Sequence, residues 1–111
     1  MKPVIRDEKK LTLNKEGPFP AKILLSKADT NAASVKKGIL EKGETIAVHM
    51  HTECNQMEYY FKGKALMYIE GLDKVVIQRG SFTYIPKGTK HSILKVYESL
   101  EMITVFIPPL F

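Results

Sequence analysis

GETIAVHMHTECNQMEYYFKG, residues 43–63, and GSFTYIPKGTKH, residues 80–91, decide how this chain is read. The first stretch runs from Gly43 through His49, His51 and Gln56 to Gly63. The second runs from Gly80 through Pro86 and Gly88 to His91. All three histidines of the 111-residue chain fall inside these two stretches. In an extended strand, residues two apart share a face about 6.6 Å apart. On a strand over 44–51, His49 and His51 therefore present two imidazoles to one ion, at metal–nitrogen distances of about 2 Å. A His-x-His pair is weak evidence by itself. The glycines and proline around it carry the rest: Gly63 is expected to turn a hairpin at positive φ, while Pro86 and Gly88 build a turn that aims His91 back at the pair.

Outward from these stretches, the chain is a succession of short apolar or alternating runs: Ala21–Leu25, Ser34–Leu40, Glu44–His51, Gln56–Phe61, Ala65–Ile69, Lys74–Ile77, Ser81–Ile85, Ser92–Val96 and Met102–Ile107. Most are rich in valine, isoleucine, tyrosine and phenylalanine, which suit a pleated, half-buried surface. Turn signals separate them at Lys42-Gly43, Lys62-Gly63-Lys64, Glu70 to Asp73, Arg79-Gly80 and Pro86-Lys87-Gly88. Such punctuation predicts an all-β sandwich or barrel. No helical period is sustained, and Lys27–Ala33 holds at most a turn. Residues 1–20, polar and ending in Gly17-Pro18-Phe19-Pro20, read as an arm, leaving 21–111 as a single domain.

Composition excludes several classes. A chain of 12.6 kDa with 44% hydrophobic and 26% charged residues is ordinary for one globular domain. No apolar run approaches the ~20 residues of a membrane span, and MKPVIRDEKK has no signal-peptide core, so a cytoplasmic protein with no membrane partner is expected. The net charge of +5 comes from scattered lysines without a readout motif, which argues against nucleic acid as a partner. Cys54, the only cysteine, forms no intrachain disulfide and reads as a free thiol near the Gln56 strand.

With those residues in place, the chain resembles the cupin superfamily, in particular its small single-domain (cupin type 2, RmlC-like) metal-binding members. The likeness covers about half the chain. Nine positions, Gly43, His49, His51, Gln56, Gly63, Gly80, Pro86, Gly88 and His91, fall at the family's spacing, with 16 residues, Lys64 to Arg79, between the two motifs. The resemblance implies an antiparallel double-stranded β-helix, or jelly-roll barrel, that holds manganese, iron, nickel, zinc or copper and assembles as a homodimer. It implies His49, His51 and His91 as ligands, with Gln56 at the place where most metal-binding cupins have glutamate. Lys95 stands where asparagine is common, which bears on loop packing.

A glutamine carbonyl is a neutral ligand, so the ion would keep its full charge and favour an anionic partner. Some cupins that act on uronates are similar in using glutamine there. Alternation places Glu58 on the same side as Gln56, where it is the candidate catalytic general base. Glu53 is a further carboxylate within reach, and Tyr60, Met67, Tyr84 and Phe106 are candidate pocket walls. The expected function is a metalloenzyme acting on a small anionic, sugar-acid-like substrate by isomerase or lyase chemistry. An iron-dependent dioxygenase and a non-catalytic metal- or sugar-binding module are the alternatives. The apolar run Ile103–Pro109, read as an edge strand, and the arm are the expected subunit interface.

Overall fold

The computed structural model describes all 111 residues. Seven strands form it: β1 Ala21–Leu25, β2 Ser34–Leu40, β3 Ile46–His49, β4 Asn55–Ile69, β5 Asp73–Gln78, β6 Phe82–Ile85 and β7 His91–Ile107. Every pairing is antiparallel, in the order β1-β2-β7-β4-β5, with β3 added on β7 and β6 on β4. No helix is long and apolar enough to cross a membrane.

Two strands are far longer than the sequence leads one to expect. Gln56–Phe61 and Ala65–Ile69 are one strand, β4, and Ser92–Val96 and Met102–Ile107 are one strand, β7. Gly63 therefore turns no hairpin. It sits inside β4 at φ +93°, and a Cβ built on it would lie 2.2 Å from the Ser99 carbonyl oxygen. The register between β4 and β7 shifts repeatedly from Tyr60 to Ala65, so an irregular bend takes the place of a turn.

That bend builds the barrel. Before it, β4 buries Gln56, Glu58 and Tyr60; after it, Ala65, Met67 and Ile69. Parity changes from even to odd across Gly63, because the extra residue would otherwise send the second half's apolar side chains into water. β7 does the same, burying His91 and Ile93, then Val96, Leu100, Met102, Thr104 and Phe106. Each long strand thus serves two sheets. β2 and β6 pair with the halves of β7 and β4 that carry residues 100–107 and 55–60, with β1 added on β2, whereas β3 and β5 pair with the other halves. Strands that switch sheets through bulges bring two sheets face to face.

The core between them is Leu40, Tyr60, Ala65, Met67, Ile77, Ile85, Val96, Leu100 and Met102, with Phe19 from the arm. Each fully buried aliphatic side chain there contributes roughly 1.5–3 kcal/mol over exposure. The C-terminal run is no edge strand: over residues 102–106, β7 is paired with β2 on one side and β4 on the other. Four strands pair with one other strand only: β1 and β6 at the edges of one sheet, β3 and β5 at the edges of the other.

The arm is tied to the barrel by charge. It holds a 3-10 turn, Glu8–Lys10, capped by Asp7, and a bridge from Asn14 to Ala21. Glu8 reaches Lys22 at 2.9 Å and Lys37 at 2.8 Å, and Arg6 reaches Asp29 at 2.8 Å.

Candidate metal centre

His49 ends β3 and His91 begins β7, and the two face each other as register partners. His51 lies two residues past the end of β3, outside the strand expected over 44–51. Its ring still joins the other two: the centroid separations are 5.2 Å from His49, 5.4 Å from His91 and 4.2 Å between His49 and His91. The second motif holds His51 in place. The Gly88 amide, in a turn at φ +79°, donates to the His51 carbonyl at 2.7 Å, and the Lys87 amide donates to Asn55 Oδ1 at 3.0 Å. The Pro86–Gly88 turn thus fastens the loop that carries His51 as well as aiming His91.

The candidate ligand atoms of the three imidazoles lie within 4.8 Å of one another. Nitrogens bound to one tetrahedral ion stand about 3.3 Å apart, so small ring movements separate the two geometries. The tautomers suit the role. His49 Nδ1 is 2.9 Å from the Ala47 carbonyl and His91 Nδ1 is 2.9 Å from the Thr89 carbonyl. A carbonyl only accepts, so both Nδ1 atoms carry the proton and both Nε2 lone pairs are left free. His91 Nε2 is buried and has no hydrogen-bond partner, an orphan that costs stability unless something binds it. Such backbone anchoring of the remote ring nitrogen is how ligand histidines are oriented.

The electrostatics point the same way. Burial, followed by the neighbouring His49, His91 and Lys36, pushes the His51 pKa down to about 4, with a hydrogen bond donated to Gln56 opposing the shift. Burial also lowers that of His91. Both rings are therefore neutral at pH 7, as ligands must be.

Gln56 and Glu58 lie on the inner face of β4, both buried, and both line the cavity in front of the histidines. The cavity measures about 290 Å³, and Leu40, Ile46, Met67, Ile93, Met102 and Phe106 form its apolar wall. Glu58 is clamped. Tyr60 Oη donates to its Oε1 at 2.6 Å and Thr104 Oγ1 donates to its Oε2 at 2.7 Å. Burial and the Glu58 charge raise the Tyr60 pKa well above the ordinary phenol value, so Tyr60 stays a donor. A carboxylate offers about four lone-pair sites, so Glu58 keeps acceptor capacity toward the cavity.

The other candidates divide. Met67 and Phe106 line the cavity, and Phe106 meets the His51 ring edge-on at 5.2 Å. Tyr60 lies behind the wall, wholly buried against Glu58, and Tyr84 points outward. Glu53 is exposed and stands outside the histidine cluster. Cys54 is buried away from the cavity, and burial raises its thiol pKa, so it is not primed as a thiolate. Lys95 is exposed on β7 opposite Leu66, beside a register shift between β4 and β7.

One residue went unnoticed in the sequence: Lys36, buried on the inner face of β2, whose side chain lines the cavity. The signal was available in Lys36-Lys37. Consecutive residues of a strand point to opposite faces, so one of two adjacent lysines had to face inward.

Two antiparallel sheets sharing their long strands, with three histidines converging at one end of the cavity, define the class: the chain has the cupin fold, an antiparallel double-stranded β-helix. Among solved structures it is similar to ectoine synthase from P. lautus, with a TM-score of 0.85 at 16% identity over 96% of this chain and 79% of that one. A predicted oxalate decarboxylase from Thermotoga maritima matches with a TM-score of 0.83 at 22% identity, covering 95% of this chain and 99% of that one. An RmlC-like cupin from Shewanella frigidimarina matches with a TM-score of 0.82 at 17% identity, covering 96% and 92%. In sequence, the chain is 29% identical over 70 residues to the uncharacterized protein SCO3923 of Streptomyces coelicolor. That match spans 63% of this chain and 65%, just under two thirds, of the relative's length. No family model matches the chain.

Proposed function

We propose that the protein is a metalloenzyme in which His49, His51, His91 and Gln56 hold a divalent transition metal, and that it acts on a small anionic substrate of sugar-acid type. The observation that carries this reading is the buried, unpartnered Nε2 of His91, with its ring locked by the Thr89 carbonyl and two more imidazoles beside it. A mixed nitrogen and amide-oxygen site suits manganese, iron, nickel, zinc or copper. A bound ion with open coordination positions would serve as a Lewis acid toward a carbonyl or carboxylate oxygen.

The chain's own groups then divide the work. Gln56 adds an acceptor without adding charge, which leaves the site receptive to an anion. The apolar wall excludes water and raises the weight of every charge inside. Glu58, aimed by Tyr60 and Thr104, is the group placed to take a proton from a substrate carbon or hydroxyl, which is the step an isomerase or lyase needs. The activities named for two fold relatives, ectoine synthase and a predicted oxalate decarboxylase, are in keeping with small-molecule chemistry in such a barrel.

Residues 1–20 act in this reading as an arm strapped over the domain 21–111, and the lone thiol Cys54 suits a cytoplasmic location. A homodimer is also proposed. With β7 internal, the surface that favours it is the outer face of β6 and β4, where Tyr59, Phe82 and Tyr84 are each at least half exposed and Tyr59 is paired with Phe82. A monomeric mass by light scattering at micromolar concentration would exclude the dimer. The enzymatic reading is tested by assaying sugar acids with metal-loaded protein. Turnover that disappears in folded His91→Ala supports it, and binding without turnover makes the protein a binding module.

A further inference from the structure

Lys36 is a buried residue whose ammonium has no carboxylate to pair it. The residue is 7% exposed, yet it enters none of the chain's salt bridges. Its neighbours are ring faces: Nζ lies 4.3 Å from the centroid of Phe19, 5.8 Å from Phe106 and 5.9 Å from Phe111. A buried lysine without a carboxylate is costly, and cation–π contacts of ~0.5–2 kcal/mol offset only part of the cost. Burial draws its pKa below the ordinary lysine value, and the charge of Glu58 opposes that shift from across the cavity. The adjacent Lys37, by contrast, is fully employed by Glu8 and Glu101.

We propose that Lys36 is the anion-recognition residue of the cavity, holding the carboxylate of a small organic acid whose apolar body lies along Met67, Met102 and Phe106 and whose second oxygen function faces His49, His51 and His91. The first clause stands on Lys36 alone; the last rests on the metal reading above. Lys36 and Glu58 line the same cavity as the histidines, but the Glu58 oxygens are taken by Tyr60 and Thr104 and form no ion pair with Lys36, so the ammonium is left to pair with a guest anion. A carboxylate fits better than a phosphate. Phosphate sites gather arginine forks or several backbone donors, whereas the cavity lining offers one lysine and no arginine. A volume of about 290 Å³ lies at the small end of ligand cavities, which limits the guest to a small acid.

The test uses metal-free, full-length protein titrated with benzoate and with benzamide, its neutral counterpart, followed by amide shifts in nitrogen–proton NMR spectra. Benzoate is expected to shift residues of β2 and β7 around the cavity and to bind on the order of tenfold or more tightly than benzamide. Lys36→Met, which removes a buried charge and so keeps or gains stability, should abolish that preference, and Lys36→Arg should restore part of it. His49→Ala should retain it, so failure of the chain to take up metal leaves this result standing. Equal binding of benzoate and benzamide, or folded Lys36→Met with wild-type benzoate affinity, overturns the proposal, as does an absence of binding at millimolar benzoate.

Discussion

At the scale of single residues, the site is a set of side chains whose freedom has been removed by backbone and hydroxyl partners. His49 and His91 are turned by carbonyls two residues behind them, Ala47 and Thr89, so in each case the strand or turn that supplies the histidine also selects its tautomer. Glu58 is set by Tyr60 and Thr104. Removing one donor tests how much the clamp matters: Tyr60→Phe leaves Glu58 Oε1 short of a buried partner and is expected to cost about 1–3 kcal/mol, read from urea unfolding. A change within a few tenths of a kcal/mol would show that water takes the place of the phenol. Gln56→Glu puts a carboxylate beside the three histidines. It should tighten zinc binding and weaken the cavity's affinity for carboxylates, measured by competition against a chelating dye and by benzoate titration of the zinc form. Stronger benzoate binding in that variant would contradict the argument from charge.

At the scale of elements, the decisive feature is the bend at Gly63. Gly63→Ala forces both a left-handed backbone and a clash with the Ser99 carbonyl, so a loss of about 2 kcal/mol or more is expected. Gly88→Ala has positive φ but open space around it, so about 1–2 kcal/mol is expected there. Equal losses at the two positions in thermal or urea melts would mean that the close approach at Gly63 is unimportant. The same bend shows where reading the sequence stops. β1 and β2 were legible to the residue, because each is a single stretch of alternation with glycine, proline or polar breaks at its ends. The length of β4 and β7 was not, since a glycine between two apolar runs looks alike whether the chain reverses or bulges, and only the tertiary partner Ser99 decides. His51 was assigned to a strand that ends at His49, but its inclusion in the site was legible because its spacing from His49 and Gln56 survives the change from strand to loop. Lys36 was missed because lysine is so commonly exposed that the alternation of its strand was not applied to it.

At the scale of the whole molecule, charge fastens the arm to β1 and β2 through Glu8. Hydrogen bonds from Lys37 and Lys22 hold the Glu8 carboxyl down to about 2, below its ordinary 4.5. A carboxyl with a lowered folded-state pKa contributes fully above the unfolded value, and the contribution is lost as pH falls from about 4.5 through about 2. The arm amides near Lys9 and Leu11 are therefore expected to gain hydrogen-exchange rate relative to β2 over that interval, and Glu8→Gln should show the faster exchange already at neutral pH. An arm that stays protected in Glu8→Gln would place its attachment in the apolar contact of Phe19 with the core instead. Everything else about function hangs on the convergence of three imidazoles at one end of the cavity. The direct measurement is the metal content of purified protein, by inductively coupled plasma mass spectrometry, after incubation with each candidate ion and removal of excess. Close to one ion per chain in the wild type, with loss in folded His49→Ala, is the expected result; less than about a tenth of an ion per chain for every metal would contradict it.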